Sequence, residues 1–202
     1  MSQEILIGKT YKPLPVDFYN RSTDAVATGL LGNLIVRRTA ESIMVARIVE
    51  TEAYFGEDDP ASHAYRGATP RSAIMFGRAG IAYVYLNYGV HNLLNVVTGP
   101  EGQAGAVLIR ALEPIAGTET MLKNRPVKKI TNLTSGPGKL TKALRIGLEH
   151  NGLDLTKDES EIFIAAGLPR NMSIQTSPRI GISAGSDLLL RFYIEGNPFV
   201  SR

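Results

Sequence analysis

The chain has 202 residues, of which 44% are hydrophobic and 20% are charged, and its formal net charge is +3. These values are those of an ordinary globular protein, and the absence of cysteine excludes disulfide bonds and thiolate metal sites. The sequence has no basic and apolar leader at its N-terminus and no run of 18 apolar residues. We therefore expect a cytoplasmic protein that does not enter a membrane.

The predicted elements are mostly strands. A short helix begins at Ser22 or Thr23 and ends near Gly32. The hydrophobic pattern then predicts eight strands, over residues 33–39, 42–54, 81–88, 90–98, 104–113, 161–165, 179–182 and 188–194. Two further helices are predicted over residues 115–124 and 138–148. We expect an α+β fold in which one compact domain, residues 1–202, contains a curved, partly barrel-like antiparallel sheet flanked by helices.

The charges of the chain are unevenly distributed. From Arg110 to Arg145 there are eight Lys or Arg residues and two acids, whereas residues 50 to 59 contain five acids and no Lys or Arg. Such a separation is typical of a protein that turns one face towards a polyanion such as a nucleic acid. A basic face that is merely solvated would give the same pattern, so the partner is left open at this point.

The second predicted strand ends in acids and an aromatic residue. If this strand continues to residue 54, Glu50, Glu52 and Tyr54 point to one face, so that Glu52 and Tyr54 open onto the same cavity. His63, one of three histidines, follows nine residues later. An acid at the end of a strand is more often solvated or ion-paired than catalytic, so the spacing alone does not assign a function.

Tyrosines crowd the third predicted strand. Tyr83, Tyr85 and Asn87 share one face, whereas Tyr88 falls on the opposite face, just before a turn at Gly89 where a side chain can project outward. One ring can then line a pocket while another protrudes. For Tyr83 we prefer a role in packing. The pattern predicts a pocket for a flat ring with an acid beside it.

Six motifs lie in order along nearly the whole chain: Arg47-Ile48-Val49-Glu50-Thr51-Glu52-Ala53-Tyr54, Tyr83-Val84-Tyr85 with Tyr88-Gly89, Val107-Leu108-Ile109-Arg110-Ala111-Leu112-Glu113-Pro114, Ser135-Gly136-Pro137-Gly138-Lys139-Leu140, Pro178-Arg179-Ile180-Gly181-Ile182 and Gly196-Asn197-Pro198-Phe199-Val200-Ser201. Together they resemble the alkyladenine (3-methyladenine) DNA glycosylase family. The resemblance implies an enzyme that turns a damaged purine out of duplex DNA and hydrolyses its N-glycosidic bond.

The resemblance also implies the catalytic residues. Glu52 matches the carboxylate that activates water for attack on the sugar, and Arg110 and the carbonyl of Ile180 would help to hold that water. An alkylated purine is already cationic and departs readily, so one carboxylate suffices where many glycosidases need two. No cofactor is implied, and we expect no metal because the three histidines are far apart in the sequence.

Five further residues match the binding pocket of the family. Tyr54, His63 and Tyr85 would contact the extruded purine, while Asn95 would discourage normal guanine by crowding its 2-amino group. Tyr88 would fill the gap that the purine leaves in the duplex. Taken alone, any of these aromatic residues would be read as packing, and Asn95 as an ordinary strand-end asparagine.

The start of the last predicted helix is a candidate contact for the DNA backbone. Free amides at a helix start favour a phosphate, and we therefore predict contacts to the DNA backbone at Ser135, Gly136, Gly138, Lys139 and Lys142. A helix start without a ligand explains the same residues equally well. Arg145 departs from the family, which has a small residue at this position.

The resemblance therefore predicts a monofunctional glycosylase that acts on double-stranded DNA containing damaged purines. We expect a monomer, because an enzyme that flips a base needs no partner subunit. Two alternatives are left open. A glycosylase that also cuts the strand through a Schiff base would use Lys139 or Lys142. A nucleic-acid-binding module without catalysis would leave Glu52 with no chemical role.

Overall fold

The structure is a computed structural model that describes residues 11–167 and 171–201. These residues form eight strands, namely β1 (Leu34–Arg38), β2 (Ile43–Tyr54), β3 (Ala82–Asn87), β4 (His91–Val97), β5 (Ala106–Ala116), β6 (Ile162–Ala165), β7 (Ile174–Ser177) and β8 (Arg191–Ile194). They also form four α-helices, namely α1 (Val16–Tyr19), α2 (Thr23–Leu30), α3 (Thr118–Asn124) and α4 (Pro137–Leu144). The predicted α+β class, with a curved antiparallel sheet and flanking helices, is confirmed.

Strand β2 lies at the centre of the sheet. The strand order is β3-β4-β5-β2-β1-β6, and β8 joins both β2 and β7. The first half of β2 pairs with β1, and residues Glu50, Thr51 and Glu52 pair with β5 on one side and β8 on the other. The acidic end of β2 is therefore held between two strands.

The pairing of β2 with β5 is interrupted near the two acids. The register shifts between Ile48 and Glu50 and again between Glu50 and Thr51, so that Val49 on β2 and Arg110 on β5 have no direct partner across the pair. Bulges of this kind bend a strand and turn the direction of the extra side chain. Arg110 is such a residue, and its side chain reaches both Glu50 and Glu52.

The main core lies between the sheet and the helices. In α2 the side chains of Val26, Ala27 and Leu30, which share one face of the helix, are fully buried. They pack with residues of the central strands such as Ile48 and Ile109. The hydroxyl of Thr51 donates to the carbonyl of Ala27 at 2.9 Å and ties this helix to β2.

The predicted strand over residues 179–182 is wrong, because the last hairpin uses β7 at residues 174–177 instead. Pro178 has no amide hydrogen to donate, and Gly181 has a φ of +76° that takes the backbone out of the extended region. The N–H of Ile180 donates to Glu52 rather than to a strand. The predicted strand over 188–194 is limited to β8.

The predicted helices also have different ends in the structure. The helix predicted over 138–148 ends at Leu144, because Arg145 adopts a left-handed conformation with a φ of +52°. The amide of Ile146 then donates back to the carbonyl of Thr141 at 2.8 Å, which closes the helix end. The helix predicted over 115–124 begins only at Thr118, since β5 continues to residue 116.

The described residues contain no helix that is long and apolar enough to cross a membrane. Residues 1–10, which include the segment from which we predict the absence of a leader, lie outside the described residues.

Candidate active site

A cavity of about 330 Å³ lies beside the β3–β4 hairpin, and we call it the aromatic cavity. Its volume falls within the range of about 300 to 1,000 Å³ that is usual for small-molecule sites. Seven of the residues singled out in the sequence line it, namely Tyr54, His63, Tyr85, Tyr88, Asn95, Arg110 and Ile180. Segments far apart in the chain therefore meet at one site.

Three rings of the aromatic cavity contact one another. The Nδ1 atom of His63 lies 2.8 Å from the hydroxyl of Tyr83, and the His63 ring meets the Tyr85 ring edge to face at 4.6 Å between centroids. Burial raises the pKa of Tyr85 to about 12, so its phenol is neutral. Tyr83 is 3% exposed and packs against Met75, which agrees with the packing role expected from the sequence. It also lines the cavity.

Burial of the His63 imidazole predicts that the free energy of unfolding depends on pH. Burial, together with the charge of Arg71, lowers its pKa from 6.5 to about 4. Between pH 4 and pH 6.5, the imidazole is therefore protonated in the unfolded chain and neutral in the folded protein. The resulting contribution to stability is therefore complete above pH 6.5 and is lost as the pH falls through about 4. Between pH 7 and pH 4.5, urea unfolding should show a larger loss of stability for the wild type than for His63→Gln; equal losses would contradict this.

The carboxylate of Glu52 lies directly behind the wall of the aromatic cavity. Its Oε1 atom accepts a hydrogen bond from the Ile180 N–H at 2.7 Å, and its Oε2 atom accepts from the Tyr54 hydroxyl at 2.9 Å and from Arg110 Nη1 at 3.1 Å. Burial and the charge of Glu52 raise the pKa of Tyr54, so the phenol is a neutral donor. Glu52 thus accepts hydrogen bonds from three different residues.

The position of Glu52 differs from the prediction in one respect. Glu52 is fully buried and is not among the residues that line the cavity, whereas the three residues that donate to it are. The role of the Ile180 carbonyl in holding a water molecule stays a prediction, and the N–H of Ile180 donates to Glu52. Glu52 and Tyr54, which were predicted to share one face of the strand, form a hydrogen bond of 2.9 Å.

A second carboxylate, Glu50, lies behind Glu52 and is also fully buried. Its Oε1 atom accepts from Arg110 Nε at 3.0 Å, Arg191 Nε at 2.6 Å and the Ser201 hydroxyl at 2.8 Å. Its Oε2 atom accepts from the Ser201 N–H at 2.6 Å. Two carboxylates are thus balanced by two guanidinium groups, and Arg110 joins them.

A further ion pair, between Arg179 and Asp59, lies beside the cavity, and the sequence assigned no role to it. The guanidinium donates to both carboxylate oxygens, at 2.6 and 2.7 Å, and to the carbonyl of Ala53 at 3.0 Å. It also lies 4.6 Å from the ring centroid of Tyr54. This pair connects the loop after β2 with the segment after β7. Arg179 stands in one of the six motifs, but its partner lies 120 residues away and gives no sequence signal.

The turn between β3 and β4 presents Tyr88 to solvent. Tyr88 and Gly89 have φ values of +49° and +70°, and the Val90 N–H donates to the Asn87 carbonyl at 3.1 Å. Positive φ at both central residues is what a type I′ hairpin turn requires. Tyr88 is 85% exposed and Val90 is 70% exposed. The hairpin therefore carries apolar side chains at its tip, as the sequence predicted for Tyr88.

The start of α4 borders the aromatic cavity. Pro137 lines the cavity, Ser135 forms a bridge to Ala111 of β5, and Gly136 precedes the helix without a side-chain cap. A Cβ on Gly138 would lie 2.9 Å from His91, so this glycine permits close packing of the helix on β4. The helix start thus lies at the same end of the sheet as the hairpin.

Two predicted phosphate contacts on α4 have different surroundings. Lys139 Nζ donates to Asn132 Oδ1 at 2.6 Å, and burial followed by the charge of Arg125 lowers the pKa of its ammonium group. Lys142 is exposed and forms no ion pair with any described residue. Arg145, the departure from the family, is exposed beside it in the left-handed conformation that a small residue adopts more readily.

A cavity for a flat ring, bordered by a protruding tyrosine and a basic helix, is the arrangement expected of enzymes that turn a base out of DNA. Residues 17–198 match the model of the methylpurine-DNA glycosylase family, and the chain belongs to this family. It is therefore a DNA glycosylase, a DNA repair enzyme that hydrolyses N-glycosyl bonds. The resemblance seen in the six motifs is confirmed.

Curated relatives match over almost the whole chain. A protein of Prosthecochloris aestuarii is 49% identical over 188 residues, which cover 92% of this chain and 89% of the relative. A protein of Methanoculleus marisnigri is 48% identical over 191 residues, which cover 94% of this chain and 98% of the relative. Both relatives carry the provisional name 3-methyladenine DNA glycosylase.

Proposed function

We propose that this protein is a monofunctional glycosylase that removes 3-methyladenine, 7-methylguanine, hypoxanthine and ethenoadenine from double-stranded DNA and leaves an abasic site. The observation that carries the proposal is the carboxylate of Glu52 directly behind an aromatic cavity. Since the cavity, the acid and the protruding Tyr88 all belong to one chain, we also propose that the chain acts as a single domain and as a monomer.

The damaged purine enters the aromatic cavity after it leaves the duplex. Tyr54, His63 and Tyr85 contact its ring, because aromatic faces bind any purine. Asn95 is held rigidly, since its Nδ2 atom donates to the Tyr83 carbonyl at 3.1 Å. A fixed amide at this position rejects the 2-amino group of normal guanine by crowding.

Glu52 acts as the general base in this proposal. Its Oε1 atom accepts only one hydrogen bond from the described residues, that of the Ile180 N–H. An ionised carboxylate oxygen has two acceptor sites, so one site is free for a water molecule. Arg110 fixes the other oxygen. The carboxylate takes the proton of the attacking water and stabilises the oxocarbenium-like sugar, while a cationic purine leaves without further protonation.

The proposal is tested by incubating duplexes that contain one hypoxanthine or one 7-methylguanine with the protein, without added metal. We expect free base and a strand that breaks only after treatment with alkali. Breakage without alkali would favour the lyase, which would use Lys139 or Lys142. Intact oligonucleotides across the whole range of lesions would overturn the proposal and favour the binding module.

Replacing Tyr88 by alanine is expected to slow excision from duplex DNA by about 5- to 100-fold. An inserted ring offsets part of the unstacking cost, and base–aromatic stacking contributes about 1–3 kcal/mol. The fold should be unaffected, because the side chain is 85% exposed. Single-turnover rates measure the effect, with Ile43→Ala, an exposed apolar residue at the start of β2, as control.

A further substrate makes the Tyr88 experiment specific. A single-stranded oligonucleotide with the same lesion needs no extrusion from a duplex. The defect of Tyr88→Ala should therefore shrink on single-stranded substrate. A defect of equal size on both substrates would show that Tyr88 does not act by filling the gap in the duplex.

A further inference from the structure

Two rings of the aromatic cavity each have a guanidinium group against them. Arg179 lies 4.6 Å from the ring centroid of Tyr54, and Arg71 lies 4.8 Å from that of Tyr85. Neither arginine is among the residues that line the cavity, whereas both tyrosines are. Each ring therefore already interacts with one cation from outside the space that a base would occupy.

The charges around the cavity do not cancel. Arg110 and Arg191 are balanced by Glu50 and Glu52, and Arg179 is balanced by Asp59. Arg71 is exposed and forms no ion pair with any described residue. Among these arginines, Arg71 alone contributes an uncompensated positive charge. After burial, this charge is the second cause of the lowered pKa of His63 inside the cavity.

An unpaired cation on an aromatic wall affects neutral and cationic ligands differently. A ring attracts a cation through its electron-rich face. When a guanidinium already lies on that ring, a second cation gains less from the ring and is repelled by the like charge. A neutral purine stacks on the ring without this penalty. The cavity is thus less favourable for a cationic N-alkylated purine than its tyrosines alone would make it.

We propose that Arg71 is a specificity-determining residue that shifts the preference of the site from cationic alkylated purines towards neutral lesions such as hypoxanthine. This inference rests on the proposed function and concerns the ranking of its substrates. Arg71 raises the selectivity for neutral purines through its charge, without touching the sugar or the attacking water.

Arg71 is also the better of the two arginines for an experiment. Arg179 is 4% exposed and holds the buried Asp59, so its removal would disturb the fold. Arg71 is exposed, and Arg71→Gln removes its charge and leaves a shorter, neutral polar side chain. Arg71→Lys keeps the charge. Arg66→Gln removes an exposed arginine of the same loop that contacts no aromatic ring of the described site.

The test compares single-turnover rates on two duplexes that differ only in the lesion, 7-methylguanine or hypoxanthine. In Arg71→Gln the ratio of the 7-methylguanine rate to the hypoxanthine rate should rise roughly three- to tenfold. The ratio should stay within about twofold of the wild type in Arg71→Lys, because lysine keeps the positive charge near the ring, and in Arg66→Gln.

The possible failures are distinguishable. An equal loss of both rates in Arg71→Gln would show that Arg71 only binds the DNA backbone, and an unchanged ratio would likewise overturn the inference. In both cases excision by the wild type would still support the proposed function. A wild-type protein that releases neither base would instead overturn the proposed function itself.

Discussion

Replacing Glu52 by glutamine is expected to slow base release by about 10²- to 10⁴-fold while DNA binding is retained. Glutamine keeps the length of the side chain and one oxygen that can accept from the Ile180 N–H. It has no charge to take a proton from water or to stabilise the developing sugar cation. Single-turnover excision on a hypoxanthine duplex measures the loss, and fluorescence anisotropy with the same duplex measures binding.

A matched control for Glu52→Gln is Glu113→Gln. Glu113 lies on the neighbouring strand β5 and pairs with Arg47 at 2.6 Å, but it is partly exposed and not part of the cavity. Its replacement should leave the rate within a few fold of the wild type. Excision that survives in Glu52→Gln would contradict the role of Glu52 as base and would favour the lysine-dependent alternative. Loss of DNA binding together with excision would mean that the substitution had disturbed the site as a whole.

Replacing Glu50 by alanine is expected to destabilise the protein by about 3–5 kcal/mol. The carboxylate is fully buried and accepts hydrogen bonds from Arg110, Arg191 and Ser201. Without it, two buried guanidinium groups share a single remaining carboxylate, Glu52. Such an uncompensated charge costs far more than the loss of one contact. Equilibrium unfolding in urea at pH 7 measures the change.

An exposed ion pair provides the control for Glu50. Asp158 pairs with Arg38 at 3.4 Å, and its side chain is 68% exposed. Exposed pairs contribute about 0–1 kcal/mol, so Asp158→Ala should change stability by no more than this amount. If Glu50→Ala is no more harmful than Asp158→Ala, the buried network around Glu50 does not contribute to the fold as argued.

The local pattern of the sequence predicted most of the sheet. The alternation in β2 places Glu52 and Tyr54 on one side, and their hydrogen bond agrees with it. Tyr88 precedes a glycine between two predicted strands, which is typical of a hairpin turn, and its side chain is exposed at that turn. These features depend on neighbours within a few residues. They are therefore encoded by spacing that can be read without knowledge of the rest of the fold.

The features that the sequence did not predict depend on distant residues. Glu50 receives its donors from Arg191 and Ser201, more than 140 positions further along the chain. No periodicity connects such residues. The end of α4 was missed for another reason: Arg145 occupies a left-handed position where glycine would have signalled the end of the helix. The burial of Glu52 is likewise a result of tertiary packing.

The tie between Glu50 and Ser201 has a consequence for synthesis of the enzyme. During translation strand β2 emerges long before Arg191 and Ser201, which supply three of the four hydrogen bonds that the Glu50 carboxylate accepts. A chain that ends before this segment contains both acids of β2 and Arg110, but it lacks the second cation, Arg191, and the Ser201 hydroxyl that stabilise the buried Glu50. The buried ion-pair network around Glu50 is therefore complete only when the final segment docks against β2.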